Sequence, residues 1–179
     1  MSCLRVAVRP DEHVRGSTSA TLTLVEYGDY QCPFCGAAVP ELEAVRHALG
    51  DALRFVFRHF PLGETHPLAM QAAEAAEAAG AQRRFWAMHD MLYRHQDALD
   101  AVSLLAYADA IDLDVDRFAL DLQEHRHVAK LRADFLGGVH SGVNGTPNLF
   151  VNGRQYHGHV TAQALIEVLS GPTTAAVLY

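Results

Sequence analysis

Two cysteines separated by two residues, at the junction of a predicted strand and a predicted helix, constrain this chain more than any other feature. An apolar run over residues 22–27 predicts a buried strand that leads toward Cys32. Pro33 begins a helical pattern that extends to Leu49, and proline is favoured at the first helical position. Unpaired N–H groups and the positive end of the helix dipole stabilise a thiolate at such a place. We therefore predict a reactive thiol pair formed by Cys32 and Cys35.

The position of each cysteine predicts its part in the chemistry. The thiolate is the reacting form of cysteine. Cys32 lies at the start of the predicted helix, whereas Cys35 lies one turn further along and near the same face. We predict that Cys32 is the nucleophile and forms a mixed disulfide with a substrate, and that Cys35 is the resolving thiol. The third cysteine, Cys3, lies far from the pair along the chain and is expected to be a spectator.

Zinc sites use the same cysteine spacing, so a metal centre is the main alternative for the pair. Zinc requires two further ligands, and the three cysteines of the chain include no second pair. His59 and His66 are available, but their positions do not show ligand spacing. The strand–turn–helix context favours redox chemistry without a metal. We expect no cofactor, because the glycines in residues 137–138 and 142–145 fit neither common phosphate-binding pattern.

The order of the remaining patterns predicts an α/β fold with a helical insertion. A second strand over residues 53–60 follows the first helix after a short connection, which predicts a βαβ unit with two parallel strands. Residues 64–137 show helical patterns and no strand pattern. Strand patterns return over residues 148–151 and 154–157, which flank the hairpin dipeptide Asn-Gly.

Capping residues predict where the later helices begin and end. The predicted helices span residues 67–79, 85–93, 104–111, 114 or 116 through 131, and 162–169. Ser103 is the expected cap of the third of these and Thr161 of the last. Gly171 is expected to end the last helix. Residues 15–19 are expected to form a loop before the first strand.

Two separated segments resemble the DsbA-like thiol–disulfide oxidoreductases, a family with a thioredoxin fold. Residues 26–35, Glu-Tyr-Gly-Asp-Tyr-Gln-Cys-Pro-Phe-Cys, are similar to the family's active-site segment. Residues 142–153, Gly-Val-Asn-Gly-Thr-Pro-Asn-Leu-Phe-Val-Asn-Gly, are similar to its cis-proline loop, strand and hairpin. The helical block between them matches the family's inserted helical domain, so the resemblance covers residues 14–170.

The resemblance implies a fold class and a division of the chain. The implied fold is α/β and thioredoxin-like, with a central mixed β-sheet flanked by helices and an inserted all-helical subdomain. The implied parts are a discontinuous thioredoxin-like domain over 14–63 and 138–172, an inserted helical domain over 64–137, and an N-terminal extension over 1–13. The implied activity is that of a protein-disulfide oxidoreductase.

The resemblance also assigns parts to residues outside the cysteine pair. It implies that Pro147 follows a cis peptide bond and that Thr146 faces the pair, where its backbone pairs with an extended substrate chain. Glu26 corresponds to a buried acid beneath Cys35. Burial would raise the pKa of that carboxyl, which would exchange protons with the thiol through water. A solvent-facing Glu26 at a strand edge is the alternative.

The two residues between the cysteines, Pro33 and Phe34, are expected to contact the substrate. The best-known oxidising members of the family carry His where this chain has Phe34, and a histidine there stabilises the thiolate by its charge. Stabilising the reduced form makes a redox couple more oxidising. We therefore expect a milder oxidant than the periplasmic oxidases, although Pro33 and the helix end still lower the pKa of Cys32.

Charge and composition restrict the partners and the location. A formal net charge of -7 and the absence of a Lys/Arg-rich stretch give no reason to expect nucleic-acid binding. No apolar run approaches the ~18 residues that a membrane span needs. Residues 1–10 lack the apolar core of a signal peptide, which favours a cytoplasmic location, or a periplasmic or extracytoplasmic one if a leader has been removed.

The predicted partners are protein thiols and disulfides, together with a redox partner such as glutathione or a thioredoxin system. Two other functions stay open. One is a glutathione- or small-molecule-dependent isomerase or transferase of the same fold. The other is a non-catalytic module that binds a partner and senses oxidants. The intact pair argues against the first, because transferase chemistry does not need Cys35. The direction of exchange, oxidising or reducing, depends on the compartment.

Overall fold

The computed structural model describes residues 2–171 as one β-sheet with helices on both faces. The strands in this range are β1 (His13–Gly16), β2 (Leu22–Gly28), β3 (Leu53–His59), β4 (Asn148–Val151) and β5 (Arg154–Tyr156). The helices are α1 (Pro33–Leu49), α2 (Ala69–Gly80), α3 (Phe85–Arg94), α4 (Ala101–Ala110), α5 (Val115–Gln123), α6 (Val128–His140) and α7 (Ala162–Ser170). The outer bounds of the predicted parts, residues 1 and 172, lie outside the described range.

The sheet is mixed and places the reactive segment at its centre. The strand order is β1-β3-β2-β4-β5. β2 and β3 run parallel, in register Leu22↔Leu53, and the other neighbouring strands are antiparallel. The predicted parallel pair joined through α1 and the predicted mixed, thioredoxin-like sheet are confirmed. Because β2 is the central strand, the segment that leaves its carboxyl end lies in the middle of the molecule.

The central strands are apolar on both faces because both faces are covered. Leu24 points into the larger core, which α1, α7 and the helical block complete. Its neighbour Val25 points into a smaller core on the opposite face. α6 covers that face, where the ring of Phe135 stacks on Phe60 with 4.4 Å between centroids. A continuous apolar run is the pattern expected of a strand buried in this way.

The helical block is organised around α2, whose sequence is rich in alanine. α2 begins at Ala69, two residues after its predicted start, and every residue from Ala72 to Ala79 is buried. It packs against α3, α4, α5 and α6. Small side chains let helix axes approach closely, so one helix can contact several others. Apart from the differences described next, the predicted elements lie within two residues of the bounds in the structure.

The loop predicted over residues 15–19 is wrong at its start, because Arg15 and Gly16 end strand β1. β1 is an edge strand that pairs antiparallel with β3, in register His13↔Phe57. It is short and only half-buried, so it lacks the apolar run that marks a central strand. Its pairing with β3 is a long-range contact, which the local sequence pattern does not show.

The cap predicted for the third helix of the block is wrong. α4 begins at Ala101 rather than at Leu104, and its cap is Asp100 rather than Ser103. The Asp100 carboxylate accepts hydrogen bonds from the N–H groups of Val102 at 3.0 Å and Ser103 at 3.2 Å. Aspartate and serine are comparable caps, so composition alone did not choose between them.

The single helix predicted from residue 114 or 116 through residue 131 is two helices, α5 and α6. Asp114 caps the first of them by accepting the N–H of Arg117 at 3.0 Å. The chain breaks at His125, whose φ of 50° lies in the left-handed region that an α-helix does not contain. The His125 ring bonds to the buried carboxylate of Glu74 at 2.9 Å, which holds the break against α2.

The segment before β1 is fixed to the sheet through a buried ion pair. The Arg58 guanidinium donates to both carboxylate oxygens of Glu12, at 2.9 Å and 2.7 Å. It also donates to the carbonyl oxygens of Val6 and Ala7. Cys3 is an exposed free thiol in this segment. The division of the chain at residues 64 and 138 stays a prediction.

Candidate active site

The reactive segment leaves the carboxyl end of β2 and forms the first turn of α1. Cys32 is the N-cap residue of α1, with φ -73° and ψ 119°, and Pro33 follows at the first helical position. The N–H groups of Phe34 and Cys35 are available to the Cys32 sulfur. Cys32 and Cys35 are both free thiols. The structure thus brings the pair to the strand–helix junction.

The pKa of Cys32 falls to about 5. The largest cause is a hydrogen bond with the Cys35 thiol, which donates to the Cys32 thiolate. Burial acts in the opposite direction, and Thr146 and the N–H groups of the first helical turn lower the pKa further. Cys32 is therefore a thiolate at neutral pH, which is the form that attacks disulfides.

The pKa of Cys35 moves the other way, to well above its usual range. Burial is the largest cause, because the residue is 0% exposed. The hydrogen bond to Cys32 and the charge of Glu26 raise the pKa further. The pair therefore consists of one thiolate and one protonated thiol at neutral pH.

Glu26 lies in the centre of the sheet, between Phe57 of β3 and Leu149 of β4. It is 2% exposed, so the alternative of a solvent-facing side chain is wrong. Burial raises its pKa to about 8, and the Cys32 thiolate adds to the rise. At neutral pH the side chain is mainly a neutral carboxyl group, which can donate a proton.

The loop before β4 brings Thr146 and Pro147 to the pair. The Thr146–Pro147 peptide bond is cis. The Cys32 sulfur lies 3.4 Å from the Thr146 carbonyl oxygen, to which the thiol donates only when it is protonated. The Thr146 hydroxyl is buried and makes no hydrogen bond of ordinary geometry to another described residue, yet it lies close enough to the Cys32 sulfur to favour the thiolate. The backbone before Pro147 therefore lies beside the reactive sulfur.

An open cavity of about 340 Å³ lies next to the pair. Its lining is mainly apolar and comes from three segments: Phe34, Ala37, Ala38, Thr146, Pro147 and Val160. Phe34 is 73% exposed, and Pro33 beside it is exposed as well. An exposed aromatic ring beside a reactive thiol offers an apolar contact surface for a bound chain.

Gln96, which the sequence patterns did not mark, holds the active-site turn. Its side-chain amide donates to the carbonyl oxygens of Tyr30 at 2.8 Å and Cys32 at 2.9 Å. A Cβ atom on Gly36 would lie 2.0 Å from Gln96 Oε1, so the amide can approach only because residue 36 is glycine. The glycine directly after Cys35 is the one sequence signal that hints at such a neighbour.

Asp29 was also missed, and it ties the turn to the start of the helical block. Its buried carboxylate accepts hydrogen bonds, each at 2.8 Å, from the N–H groups of Gln31 and Leu62 and from His66 Nδ1. The Gln31 side chain in turn accepts the N–H of Leu68 at 2.7 Å. Asp29 stands beside the motif, but its partner Leu62 lies 33 residues away, which a local pattern does not reveal.

Within residues 2–171, one group of ligating side chains lies close enough together to hold a metal ion: His13, His59 and Glu77. Both imidazoles already contact the same carboxylate oxygen, each at 2.9 Å. Lys130 Nζ lies 4.0 Å from that oxygen and would repel a cation. His59 Nδ1 has no partner among the described residues, whereas a metal-bound histidine usually donates from its second nitrogen. The group is best described as a hydrogen-bonded anchor between β1, β3 and α2.

The fold and the cysteine pair together define a thioredoxin-fold protein with a redox-type active-site motif and inserted helices. The family model described as Thioredoxin matches residues 9–170, and the chain belongs to this family. A solved structure described as a thioredoxin-like oxidoreductase from Silicibacter pomeroyi DSS-3 is similar, with 28% sequence identity and a TM-score of 0.80. The match covers 90% of this chain and 92% of that one.

More distant structural neighbours are DsbA-like thiol–disulfide oxidoreductases, and they share the fold. BdbD from Bacillus subtilis is 20% identical with a TM-score of 0.78, over 89% of this chain and 91% of that one. The thiol-disulfide exchange protein alpha-DsbA2 from Wolbachia pipientis is 20% identical with a TM-score of 0.79, over 90% and 87% of the two chains.

Curated relatives at higher identity are much longer proteins. The chain is 49% identical over 176 residues to Na(+)/H(+) antiporter NhaA 1 of Salinispora arenicola, covering 97% of this chain and 26% of that protein. It is 39% identical over 158 residues to Na(+)/H(+) antiporter NhaA of Herminiimonas arsenicoxydans, covering 88% and 25%. The chain thus spans about a quarter of the length of these relatives. Among residues 2–171, no helix has the length and apolar character that crossing a bilayer requires.

Proposed function

We propose that this chain is a thiol–disulfide oxidoreductase that exchanges disulfides with protein thiols through Cys32 and Cys35. The observation that carries the proposal is the opposite shift of two neighbouring thiols. The pKa of Cys32 falls to about 5, while that of Cys35 rises well above its usual range. This difference supports separate parts for a nucleophile and a resolving thiol. The similarity to the thioredoxin-like oxidoreductase of Silicibacter pomeroyi agrees with it.

In the reducing direction, the Cys32 thiolate attacks one sulfur of a substrate disulfide. A Cys32–substrate disulfide forms, and the other substrate sulfur leaves as a thiolate that takes a proton from solvent. Cys35 then loses its proton and attacks the Cys32 sulfur. The Cys32–Cys35 disulfide forms, and the second substrate sulfur leaves. In the oxidising direction the same steps run in reverse, so a substrate dithiol becomes a disulfide while the pair is reduced.

We assign Glu26 the part of proton acceptor and donor for Cys35. The charge of Glu26 raises the pKa of Cys35, which is consistent with a short path between the two groups. A carboxyl group with a pKa of about 8 is matched to proton exchange with a thiol near neutral pH. A carboxyl group of ordinary pKa would be ionised under the same conditions and would be a weaker base.

The cavity beside the pair is the proposed site for an extended segment of the substrate. The Thr146 backbone lies beside the Cys32 sulfur, where it can pair with the substrate main chain. Phe34 and Pro33 are exposed and would contact apolar side chains next to the substrate sulfur. Main-chain pairing does not depend on the substrate's sequence, so this arrangement suits a range of protein thiols.

The proposed redox partner is glutathione or a thioredoxin system, and the compartment selects the direction. A reducing compartment favours reduction or repair of protein disulfides, and an oxidising one favours their formation. The names of the longer relatives describe Na(+)/H(+) exchange. The segment that matches this chain covers 26% of the Salinispora arenicola protein and 25% of the Herminiimonas arsenicoxydans protein. We therefore propose no transport activity for this chain.

Trapping the intermediate tests the proposal. The wild-type protein is expected to catalyse reduction of insulin by dithiothreitol, and the Cys32→Ser variant is expected to be inactive. The Cys35→Ser variant should accumulate mixed disulfides, because a hydroxyl cannot resolve them. Cys3→Ser is the matched control and should behave as wild type, since Cys3 is an exposed thiol outside the pair.

Two other outcomes would favour the alternatives. An inactive wild-type protein would leave a non-catalytic, oxidant-sensing binding module. Full turnover by Cys35→Ser with glutathione as the only thiol would favour the glutathione-dependent isomerase or transferase. The buried position of Cys35 and its raised pKa argue against that second outcome, because a thiol unused in catalysis has no need of a neighbouring acid.

A further inference from the structure

The cavity beside the cysteine pair is closed on one side by a loop that carries no residue of the disulfide chemistry. Two of its walls are α1, with Phe34 and Ala37, and the loop that carries Thr146. The third wall is Val160, in the loop over residues 157–161 between β5 and α7. Val160 is half-buried and also packs against the larger core. The position of this loop therefore sets the shape of the cavity.

The loop over residues 157–161 is folded onto itself. The hydroxyl of Tyr156, at the end of β5, donates to the His159 carbonyl oxygen at 2.8 Å. The N–H group of Thr161, the N-cap residue of α7, donates to the same oxygen at 2.9 Å. These two bonds join β5 to α7 but do not reach α1. The position of the loop relative to α1 depends on contacts outside them.

Glu41 makes one such contact, between α1 and the start of α7. Its carboxylate accepts a hydrogen bond from the Ala162 N–H group at 2.6 Å. Ala162 is the first residue of α7 and lies two residues after Val160. An N–H group in a first helical turn has no partner within its own helix, and the helix dipole favours a negative charge there. The first turn of α7 has no acidic residue of its own, so Glu41 supplies this charge.

The place of Glu41 on α1 connects this contact with the cavity. Phe34, Ala37, Ala38 and Glu41 follow the spacing of one helix face. Because the first three line the cavity, Glu41 lies about one turn beyond its edge. Glu41 is half-buried, and no ion pair within residues 2–171 includes it. The Ala162 N–H group is thus the partner that stabilises this carboxylate.

We propose that Glu41 is a positioning residue for the protein substrate and that Val160 is a specificity-determining residue. By holding the Ala162 N–H group, the Glu41 carboxylate fixes the start of α7 against α1 and thereby fixes Val160 as a wall of the cavity. The cavity then receives an apolar side chain next to the substrate sulfur that Cys32 attacks. Glu41 acts through Val160 and takes no part in the exchange itself. This inference rests on the proposed function and adds the residues that select its substrates.

Two peptide probes separate substrate selection from thiol chemistry. Each is an extended peptide whose one cysteine carries thionitrobenzoate in a disulfide. The residue beside that cysteine is phenylalanine in one peptide and glycine in the other. The Cys32 thiolate attacks the peptide sulfur, the Cys32–peptide disulfide forms, and thionitrobenzoate leaves as a coloured thiolate. The ratio of the two second-order rate constants measures the selection of an apolar side chain.

We expect wild type to favour the phenylalanine peptide by about 10-fold, since burial of such a side chain contributes at least that much. Glu41→Ala should lower this ratio by about 5-fold, because the wall at Val160 is no longer held. The rate constant for the glycine peptide should change by less than about 2-fold. The pKa of Cys32 should also be unchanged, because Glu41 acts on the cavity and not on the thiolate.

A conservative variant and a neighbouring glutamate provide the controls. Glu41→Gln keeps an oxygen that accepts the Ala162 N–H group, so it should restore most of the wild-type ratio. Glu43→Ala is the matched control on the same helix. Its carboxylate pairs with Arg15 at 2.8 Å and does not line the cavity. Its loss should leave both rate constants unchanged.

Val160→Ala keeps the test valid if Glu41→Ala folds poorly. It leaves the bond between Glu41 and Ala162 in place and removes only methyl groups from the wall of the cavity. The ratio should fall by about 3-fold or more, since each methyl group buried against the substrate adds to the selection.

The outcomes separate this inference from the proposed function. If wild type reacts with neither peptide faster than free glutathione does, the proposed function fails. If wild type reacts quickly, but the folded Glu41→Ala and Val160→Ala variants keep its ratio, the inference is wrong and the proposed function stands. Equal slowing of both peptides by Glu41→Ala, or a raised pKa of Cys32, would indicate a purely structural role and would also reject the inference.

Discussion

Cys32 and Cys35 carry the same side chain, yet their pKa values move in opposite directions from the usual thiol value. A single hydrogen bond between the two sulfurs contributes to both shifts, since it favours the thiolate at one residue and the thiol at the other. Position supplies the remainder: Cys32 faces the N–H groups of the first helical turn, and Cys35 is enclosed in the core. At the scale of the residue, the different surroundings of the two thiols account for their opposite pKa shifts.

Removal of the hydrogen bond from Cys35 is expected to raise the pKa of Cys32. The Cys35→Ala variant removes the donor, whereas Cys35→Ser keeps a hydroxyl donor in its place. We expect the pKa of Cys32 to rise by about 1 unit or more in the alanine variant and by less in the serine variant. Titration of thiolate absorbance measures both. Equal pKa values of about 5 in all three proteins would show that the helix end alone sets the value.

Glu26 is expected to make stability depend on pH. Its pKa rises from 4.5 to about 8 on folding, so the folded state binds this proton more tightly than the unfolded chain does. The resulting stability is fully present below pH 4.5 and is lost as the pH rises through 8, by about 5 kcal/mol in total. Urea unfolding of the oxidised protein, in which neither thiol titrates and burial alone raises the pKa of Glu26, should show most of this loss in wild type and none of it in Glu26→Gln. Parallel pH profiles for the two proteins would contradict the assignment.

The first turn of α1 is shaped by elements distant in the sequence. Gln96, beyond the end of α3, bonds to two carbonyl oxygens of the turn, and Asp29 joins the turn to the segment after β3. The helical block therefore contributes to the geometry of the reactive pair, although neither cysteine lies in it. At this scale the candidate active site is an interface between α1, the sheet and the block.

The contact between Gly36 and Gln96 predicts that Gly36→Ala lowers the free energy of unfolding in the wild-type background and raises it when Gln96 is absent. In the wild-type background, Gly36→Ala would displace the Gln96 amide and break its two hydrogen bonds, so a net loss of about 1 kcal/mol is expected. In a Gln96→Ala background the clash is absent, and the same change should stabilise the helix by about 0.5–1 kcal/mol. Urea unfolding of the four proteins measures the coupling. If Gly36→Ala changed the free energy of unfolding in the same direction in both backgrounds, the contact would be refuted.

The buried pair of Glu12 and Arg58 is expected to hold the segment before β1 on the sheet. Both side chains are 2% exposed. Glu12→Ala would leave the Arg58 charge buried and unpaired, at a cost of about 3–5 kcal/mol. Asp11→Ala is the matched control, since that side chain is 70% exposed and its loss should change stability by less than about 0.5 kcal/mol. Similar unfolding midpoints for the two variants would contradict the role given to the pair.

Local patterns predicted the elements that local chemistry determines. The apolar run of β2 and the proline at the start of α1 identified the strand–helix junction, and the Asn-Gly dipeptide identified the hairpin between β4 and β5. Long-range contacts determine what was missed. β1 exists as a strand because β3 pairs with it, and Gln96 matters because the fold brings it to a turn 64 residues earlier. The β1–β3 pairing has no trace in the local sequence, and the only local sign of the Gln96 contact is the glycine at residue 36.

At the scale of the whole molecule, the thioredoxin-like sheet, the cysteine pair and the helical block form one arrangement around a single reactive sulfur. β2 supplies Glu26, the loop before β4 supplies Thr146, and the block supplies Gln96. The pKa of Cys32, about 5, lies between those of thioredoxin, ≈ 7, and of the strongly oxidising DsbA, ≈ 3.5. Phe34 in place of a histidine agrees with this intermediate position.

The reduction potential of the Cys32–Cys35 couple tests the central claim most directly. The protein would be equilibrated with glutathione buffers of graded ratio, and the reduced fraction would be measured after acid quenching and alkylation. We predict one two-electron transition with a potential between about -270 mV, the value of thioredoxin, and about -120 mV, the value of DsbA. Failure of Cys32 and Cys35 to form a disulfide at any ratio, or a potential outside that interval, would contradict the account.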